Sequence, residues 1–231
     1  MKKYIPSLVT LSGLFCGFVA IAEANYTKSA LLILIAFICD GLDGFVARLL
    51  DVKSEFGKQL DSLSDIVCFG VAPAYLYYLL APDDSIECLI FPGLIVLAGA
   101  ARLARFNVLP SVHYFRGLPI PANAFFFIGI VLAIDNDNEL MNNLYDHKML
   151  YLITPVIMSL LMVTAKIRMF GIKTINKEFK NYIFPLVLVI VFSILWFLYN
   201  WAAFPLTIAA YVILSVFYTL STRNEDRQTI N

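Results

Sequence analysis

Long apolar runs recur along this chain, each closed by a short polar or proline-bearing break. Measured against the ~20 apolar residues that a membrane-crossing helix needs, they predict helices at about 6–24, 28–50, 58–81, 87–107, 119–135, 148–167, 182–199 and 203–221. Only Asn200-Trp201 and Phe204-Pro205 punctuate the last two, so a tight hairpin is expected there. The alternative is one long helix, which Pro205 would interrupt. The pattern reads as an all-α integral membrane protein, a bundle of about eight transmembrane helices. We expect a single polytopic domain over residues 1–222, with a core at about 4–167 and an additional helical hairpin at about 182–221. Residues 223–231 form a short polar tail, expected to fray. Met-Lys-Lys before an apolar run resembles a signal peptide, but Pro6, Ser7, Thr10 and Ser12 interrupt the run and further spans follow, so it reads as an uncleaved first helix.

Composition agrees with the periodicity. Of 231 residues 60% are hydrophobic and 15% charged, too apolar for a soluble domain of this length. The formal net charge is zero, so nothing marks a nucleic-acid partner. Placement of the charges matters more than their sum. Every lysine and arginine except Lys28 and Lys148 falls on one side of the predicted helices, and the opposite loops are acidic (Asp83, Asp84, Glu87, Asp135, Asp137, Glu139, Asp146). The positive-inside rule makes the basic side cytoplasmic, with both termini there, in a multi-pass protein of the cytoplasmic membrane. Cys16, Cys39, Cys68 and Cys88 show no C-x-x-C spacing, so neither a disulfide framework nor a zinc site is read, and His113 and His147 are ordinary loop histidines.

Four acids break the apolar pattern at the cytoplasmic ends of the second and third helices. Asp40 and Asp43 follow the apolar run Leu31–Cys39, and Asp61 and Asp65 run straight into Ile66–Leu80. Three- and four-residue spacings put each pair on one helical face. Facing carboxylates make a pocket of hard oxygen ligands, which suits Mg²⁺ or Mn²⁺ better than Zn²⁺. Asp51 and Glu55 read as solvated loop acids, but acids inside an apolar segment are costly without a cation. Asp40, Asp43 and Asp61 are the expected metal ligands, and Asp65 completes the set and is the candidate general base. Gly41, Gly44, Ala47 and Gly57 leave bare backbone, either for close helix packing or for the approach of a flat ligand. Arg48, one turn past Gly44, could pair with a phosphate or snorkel at the interface.

The whole stretch, Asp40-x-x-Asp43-Gly44-x-x-Ala47-Arg48-x8-Gly57-x3-Asp61-x3-Asp65, is similar without gap or substitution to the signature of the CDP-alcohol phosphatidyltransferases. Ile5-Pro6-Ser7-Leu8-Val9-Thr10 resembles the Pro-Asn-x-x-Thr element that often opens the first helix of that family, with Ser7 in the place of asparagine. Ala101–Asn107 (Ala-Arg-Leu-Ala-Arg-Phe-Asn) and Phe115–Ala122 (Phe-Arg-Gly-Leu-Pro-Ile-Pro-Ala) look like the branch that makes phosphatidylserine. The resemblance covers roughly residues 4–125; beyond it only hydropathy agrees.

The resemblance implies transfer of the phosphatidyl group of CDP-diacylglycerol to L-serine, with two divalent ions, CMP as leaving group, the acyl chains left among membrane lipids, and a homodimer. It implies that Gly44, Ala47, Arg48 and Gly57 line the CDP site, with Ser7 and Thr10 beside them. Serine carries a carboxylate that needs a donor near the metals; Arg102, Arg105 and Arg116 are the cationic candidates, against a plainer role touching anionic lipid. Three alternatives stay open. One is the same family with glycerol 3-phosphate or inositol phosphate as acceptor. The second, of a different class, is a divalent-cation transporter using the same acids. The third is a structural membrane protein, which would not need four aligned acids; CMP release from a CDP-lipid distinguishes the enzyme from both.

Overall fold

The computed structural model describes residues 4–52, 54–108, 115–164, 168–169 and 180–228. Helix α1 (Ile5–Glu23) carries Pro6 in its first turn, where a missing N–H costs nothing, and ends at Ala24 in the left-handed region (φ 49°). Helix α2 (Tyr26–Leu49) starts at once, because the Asn25 side chain caps it by accepting from Lys28 N at 3.0 Å. The two run antiparallel in close contact through small residues: Gly13, Gly17 and Ala20 are buried on α1, and Ala30 and Ala36 on α2. A Cβ on Gly13 would lie 3.1 Å from Cys39 Cβ, and one on Gly17 would lie 2.6 Å from Cys68 Sγ. This close approach is what small residues permit between membrane helices.

Helix α3 (Glu55–Asp65) begins three residues before the expected position 58, because Ser54 Oγ accepts from Gly57 N at 3.0 Å and caps it. It passes through a π-helical turn, Ile66–Val71, into α4 (Ala72–Tyr78), so one helical stretch fills the third predicted span. Helix α5 (Ile86–Val108) follows. Helix α6 (Ile120–Asp135) and a short α7 (Glu139–Tyr145), which hydropathy does not predict, meet at a bend of 106° beside Asp137, a left-handed residue (φ 54°). Helix α8 (Lys148–Val163) stops short of the predicted 167: Thr164 is extended (ψ 109°), and 165–167 lie outside the described residues.

The all-α expectation holds, with one local addition. Strand β1 (Phe115–Arg116) pairs antiparallel with β2 (Arg168–Met169), Phe115 opposite Met169 and Arg116 opposite Arg168. The C-terminal ends of α5 and α8 lie near one another, and the backbone groups of β1 and β2 find partners in each other. Gly117 makes the turn back to α6 possible, since its φ is 76° and a Cβ there would lie 2.6 Å from Met162 O.

Helix α9 (Lys180–Tyr199), a 3₁₀ turn (Asn200–Ala202) and α10 (Ala203–Gln228) complete the described chain. Asn200 is left-handed (φ 50°), and the rings of Phe192 and Phe204 lie 5.2 Å apart. Twelve residues of unbroken helix would separate them by about 18 Å, so the chain folds back here. Helix α10 runs on to Gln228, past the point where the composition turns polar, because no glycine or proline stops it.

By length and composition Ile5–Glu23, Tyr26–Leu49, Ile86–Val108 and the apolar stretch Pro185–Val216, which the fold-back at Asn200 divides between α9 and α10, can cross a membrane, and a further span results if α6 and α7 count as one. The chain is thus a multi-pass membrane protein. Helical stretches missing from that count are those broken by the π turn or shortened, as α8 is at 16 residues. The aromatic core lies at one end of the bundle. Tyr77 and Tyr151 stack at 4.7 Å, Tyr77 donates to Tyr151 O at 2.9 Å, and Tyr151 donates to Cys88 O at 3.0 Å. The four predicted aspartates lie toward the other end.

Candidate active site

The C-terminal half of α2 supplies Asp40 and Asp43, and α3 supplies Asp61 and Asp65. Carboxylate oxygens of Asp40, Asp61 and Asp65 all lie within 4.8 Å of one another. Asp43 stands beside this trio and is buried; the Thr10 hydroxyl donates to its Oδ2 at 2.5 Å, the length expected of a charge-assisted bond. Thr10 reaches it because α1 and α2 pack so closely. Among the described residues no lysine or arginine forms an ion pair with any of the four. Three hard-oxygen donors gathered without a cation, at the edge of an apolar bundle, fit a divalent metal ion and do not fit a structural ion pair.

A cavity of about 540 Å³ opens beside the trio. Its walls are Pro6, Ser7 and Thr10 from α1, Asp43, Gly44 and Ala47 from α2, Val52 and Ser54 from the connecting loop, and Glu55, Gly57, Lys58 and Asp61 from α3. Its size is that of a site for a nucleotide or drug-sized ligand. Of the residues expected around a nucleotide, Ser7, Thr10, Gly44, Ala47 and Gly57 line it, whereas Arg48 is exposed and stands outside the lining. A Cβ on Gly41 or Gly44 would meet nothing within 4 Å, so helix packing within this chain does not require glycine there. The open backbone faces space a ligand can use.

The three arginines part company. Arg102, on α5, is half-buried within electrostatic reach of Asp65 and of Tyr211 on α10. Its Nε is buried and bonded to none of the described residues. Arg105 is exposed, and its Nη1 donates to Val163 O at 3.4 Å at the end of α8. Arg116 sits in β1, and its side chain lies outside the described residues.

Sequence reasoning missed several neighbours. Ser54 was legible as a helix start, being an N-cap residue three positions before Gly57. Lys58, which lines the cavity, carried no signal, and Asn107, which bonds to α3, entered only as the last residue of the Ala101–Asn107 resemblance with no role assigned, because their partners lie on another helix.

The family model of the CDP-alcohol phosphatidyltransferases matches residues 3–165. The chain belongs to that family. Members of the CDP-alcohol phosphatidyltransferase family depend in general on a divalent metal, in keeping with the carboxylate trio. The chain is similar to the CDP-diacylglycerol–serine O-phosphatidyltransferase of Methanocaldococcus jannaschii, 43% identical over 132 residues, which is 57% of this chain and 62% of that protein. It is similar to the Helicobacter pylori (strain 26695) protein of the same name, 34% identical over 189 residues, covering 79% of this chain and 78% of the other. The archaetidylserine synthase of Methanothermobacter thermautotrophicus is 41% identical over 127 residues, 52% of this chain and 54% of that one. Helices α9 and α10 lie beyond the matched residues of the family model.

Proposed function

We propose that this chain transfers the phosphatidyl group of CDP-diacylglycerol to the hydroxyl of L-serine, giving phosphatidylserine and CMP. The observation that carries the reading is the unpaired carboxylate trio beside a nucleotide-sized cavity, in a family whose similar members carry serine in their names. Asp40, Asp61 and Asp65, with Asp43 alongside, would hold one or two Mg²⁺ or Mn²⁺ ions; bound there, a divalent ion neutralises pyrophosphate charge and stabilises the oxygens that attack and leave.

The chain's own groups do the rest. Gly44, Ala47, Gly57, Ser7 and Thr10 bind the CDP moiety, and Arg48, which stands outside the lining, would have to swing in to meet a phosphate. The acyl chains stay in the bilayer. Arg102 takes the serine carboxylate in its fork and turns the hydroxyl towards phosphorus, which converts part of the barrier into binding. Asp65 accepts the hydroxyl proton as serine Oγ bonds to phosphorus and the bond to CMP breaks. Arg105 and Arg116 would guide the acceptor. The proposed topology, eight spans with both termini in the cytoplasm, would put this chemistry on the cytoplasmic side of the membrane. A cysteine near Asp84 or Asp137 should therefore be labelled from outside the cell, and one near Lys173 only from the cytoplasm. The expected assembly is a homodimer, testable by cross-linking in membranes.

The test is to mix purified protein, Mg²⁺ or Mn²⁺ and CDP-diacylglycerol with L-serine, glycerol 3-phosphate or inositol phosphate, and to identify the lipid formed. A CDP-activated ether lipid belongs in the same panel, given the likeness to an archaetidylserine synthase. Phosphatidylserine with stoichiometric CMP is the expected result. Preference for a phosphorylated acceptor overturns the serine assignment, and metal transport without CMP release overturns the enzyme.

A further inference from the structure

One residue ties the aspartate helix to the helix that carries Arg102. Asn107, in the last turn of α5, donates through Nδ2 to Ser62 Oγ at 2.9 Å and to Gln59 Oε1 at 3.3 Å on α3. Its backbone oxygen accepts from Lys58 Nζ at 3.0 Å. The Ser62 hydroxyl donates in turn to Lys58 O at 3.3 Å, which leaves its oxygen free to accept from Asn107. The residues bound, 58, 59 and 62, interleave with Gly57, Asp61 and Asp65 on the same helix. Last-turn carbonyls of a helix lack intrahelical partners, so the Lys58 ammonium also caps α5. Lys58 meanwhile lines the cavity beside Gly57 and Asp61.

We infer that Asn107 is a positioning residue that staples the Arg102-bearing end of α5 to the aspartates of α3, and that Lys58 joins this staple to the nucleotide cavity. This rests on the reading of the cavity as the CDP site and of α5 as the acceptor side. The consequence is a coupling between substrates. A phosphate-bearing ligand in the cavity competes with the Asn107 carbonyl for the Lys58 ammonium and shifts the end of α5, so nucleotide occupancy changes acceptor affinity. By linkage the acceptor changes nucleotide affinity by the same factor. Neither Lys58 nor Asn107 forms or breaks a bond in the reaction.

Steady-state kinetics with each substrate varied in turn test this on the full-length protein in detergent, with Asn107→Leu, Ser62→Ala, their double variant and Lys58→Met. Loss of one such hydrogen bond corresponds to roughly three- to tenfold in affinity. Asn107→Leu and Ser62→Ala should each raise the acceptor KM by that factor and leave the CDP-lipid KM within about twofold. The double variant should be no worse than Asn107→Leu, because the bond that Ser62→Ala removes is already lost in Asn107→Leu, together with the longer one to Gln59. Lys58→Met should weaken CDP binding, and titration of CDP with and without the acceptor should show wild-type coupling lost in this variant. Asn107→Gln, which keeps the amide, should recover part of the KM. If both KM values move together, if the two single effects add, or if CDP and acceptor bind independently in wild type, the staple is merely structural and the inference fails. The acceptor is whichever one wild type uses: turnover with a compound other than serine refutes the serine reading, and the KM split with that compound still decides the role of Asn107.

Discussion

Acidic side chains gather at both ends of this bundle and are treated in opposite ways. At one end Asp83 and Glu87 share the ammonium of Lys148, at 2.8 and 3.2 Å. At the other, Asp40, Asp61 and Asp65 lie within 4.8 Å of one another, and no lysine or arginine among the described residues pairs with them. The first arrangement is largely self-sufficient, since one ammonium offsets much of the repulsion between two acids and water screens the remaining charge. The second is incomplete, since like charges in an apolar setting raise the free energy of the fold until a cation enters. Acids that hold a structure together come with their partners; acids held for chemistry are left waiting for one.

The largest effect should come from breaking the incomplete end. Asn at Asp40, Asp43 or Asp61 should abolish transfer and weaken divalent binding, because an amide is an uncharged and poorer ligand. Asp65→Asn should cost on the order of 10²–10⁴ in turnover, yet leave CDP-lipid binding largely intact. Turnover assays and equilibrium CDP binding separate the two roles. Near-normal turnover of Asp65→Asn refutes the base, and loss of both activity and binding makes it chiefly a ligand. EDTA should inhibit wild type reversibly.

A second prediction contrasts two kinds of glycine. Gly17 packs, with a Cβ landing 2.6 Å from Cys68 Sγ and 3.2 Å from its Cα; Gly44 faces open space. Gly17→Ala overpacks the interface of α1 with the π turn and should destabilise by about 1–3 kcal/mol. Gly44→Ala should leave the melting temperature unchanged and raise the CDP-lipid KM more than the serine KM. Thermal melting and kinetics on both variants are the check, and the reverse pattern would mean that the cavity is not the nucleotide site.

These glycines also show where sequence reading stops. Both sets occur in small-residue patterns, and spacing alone left packing and ligand approach open for Gly41 and Gly44; only the neighbouring helix tells them apart. The apolar runs made the helices legible, since the bilayer demands length and hydrophobicity that few other folds need. Four-residue spacing made it legible that Asp61 and Asp65 share a face. The bond from Thr10 to Asp43 and the reach of Asn107 across to Ser62 were not legible, because each depends on a partner distant in the chain, and the π turn after Asp65 carries no mark in the apolar run that contains it. The pairing of β1 with β2 escaped for the same reason: two residues on each side carry no periodicity.

A third prediction uses stability to measure the imbalance directly. Without divalent ions, Asp61→Asn should melt higher than wild type, because it removes one of several repelling charges. Adding Mg²⁺ or Mn²⁺ should raise the melting temperature of wild type, and far less that of the variant, by on the order of a few degrees at ion concentrations well above the dissociation constant. A variant that melts lower than wild type in the absence of metal would show that these acids are already balanced within the fold, and the contrast between the two ends would be lost.

The smallest effect belongs to the balanced end. The Lys148 ammonium, followed by the Ser85 hydroxyl and backbone N–H, holds the Asp83 carboxyl well below the usual carboxylate range. A group depressed in this way stabilises the fold above its unfolded pKa, and that contribution is lost as pH falls through the folded value. The side chains are exposed, 37% for Lys148 and 47% for Asp83, so solvent and salt screen most of the interaction. Lys148→Met should therefore lower the melting temperature only slightly at neutral pH. The gap to wild type should begin to narrow below about pH 4, where the Asp83 carboxylate of the unfolded chain takes up its proton, and close as pH falls through the depressed folded value; it should also narrow in high salt. Transfer activity at saturating substrates and metal should stay as in wild type. Melting curves across pH with parallel turnover assays test both halves, and a loss of turnover would mean that the balanced end is tied to the chemistry at the other.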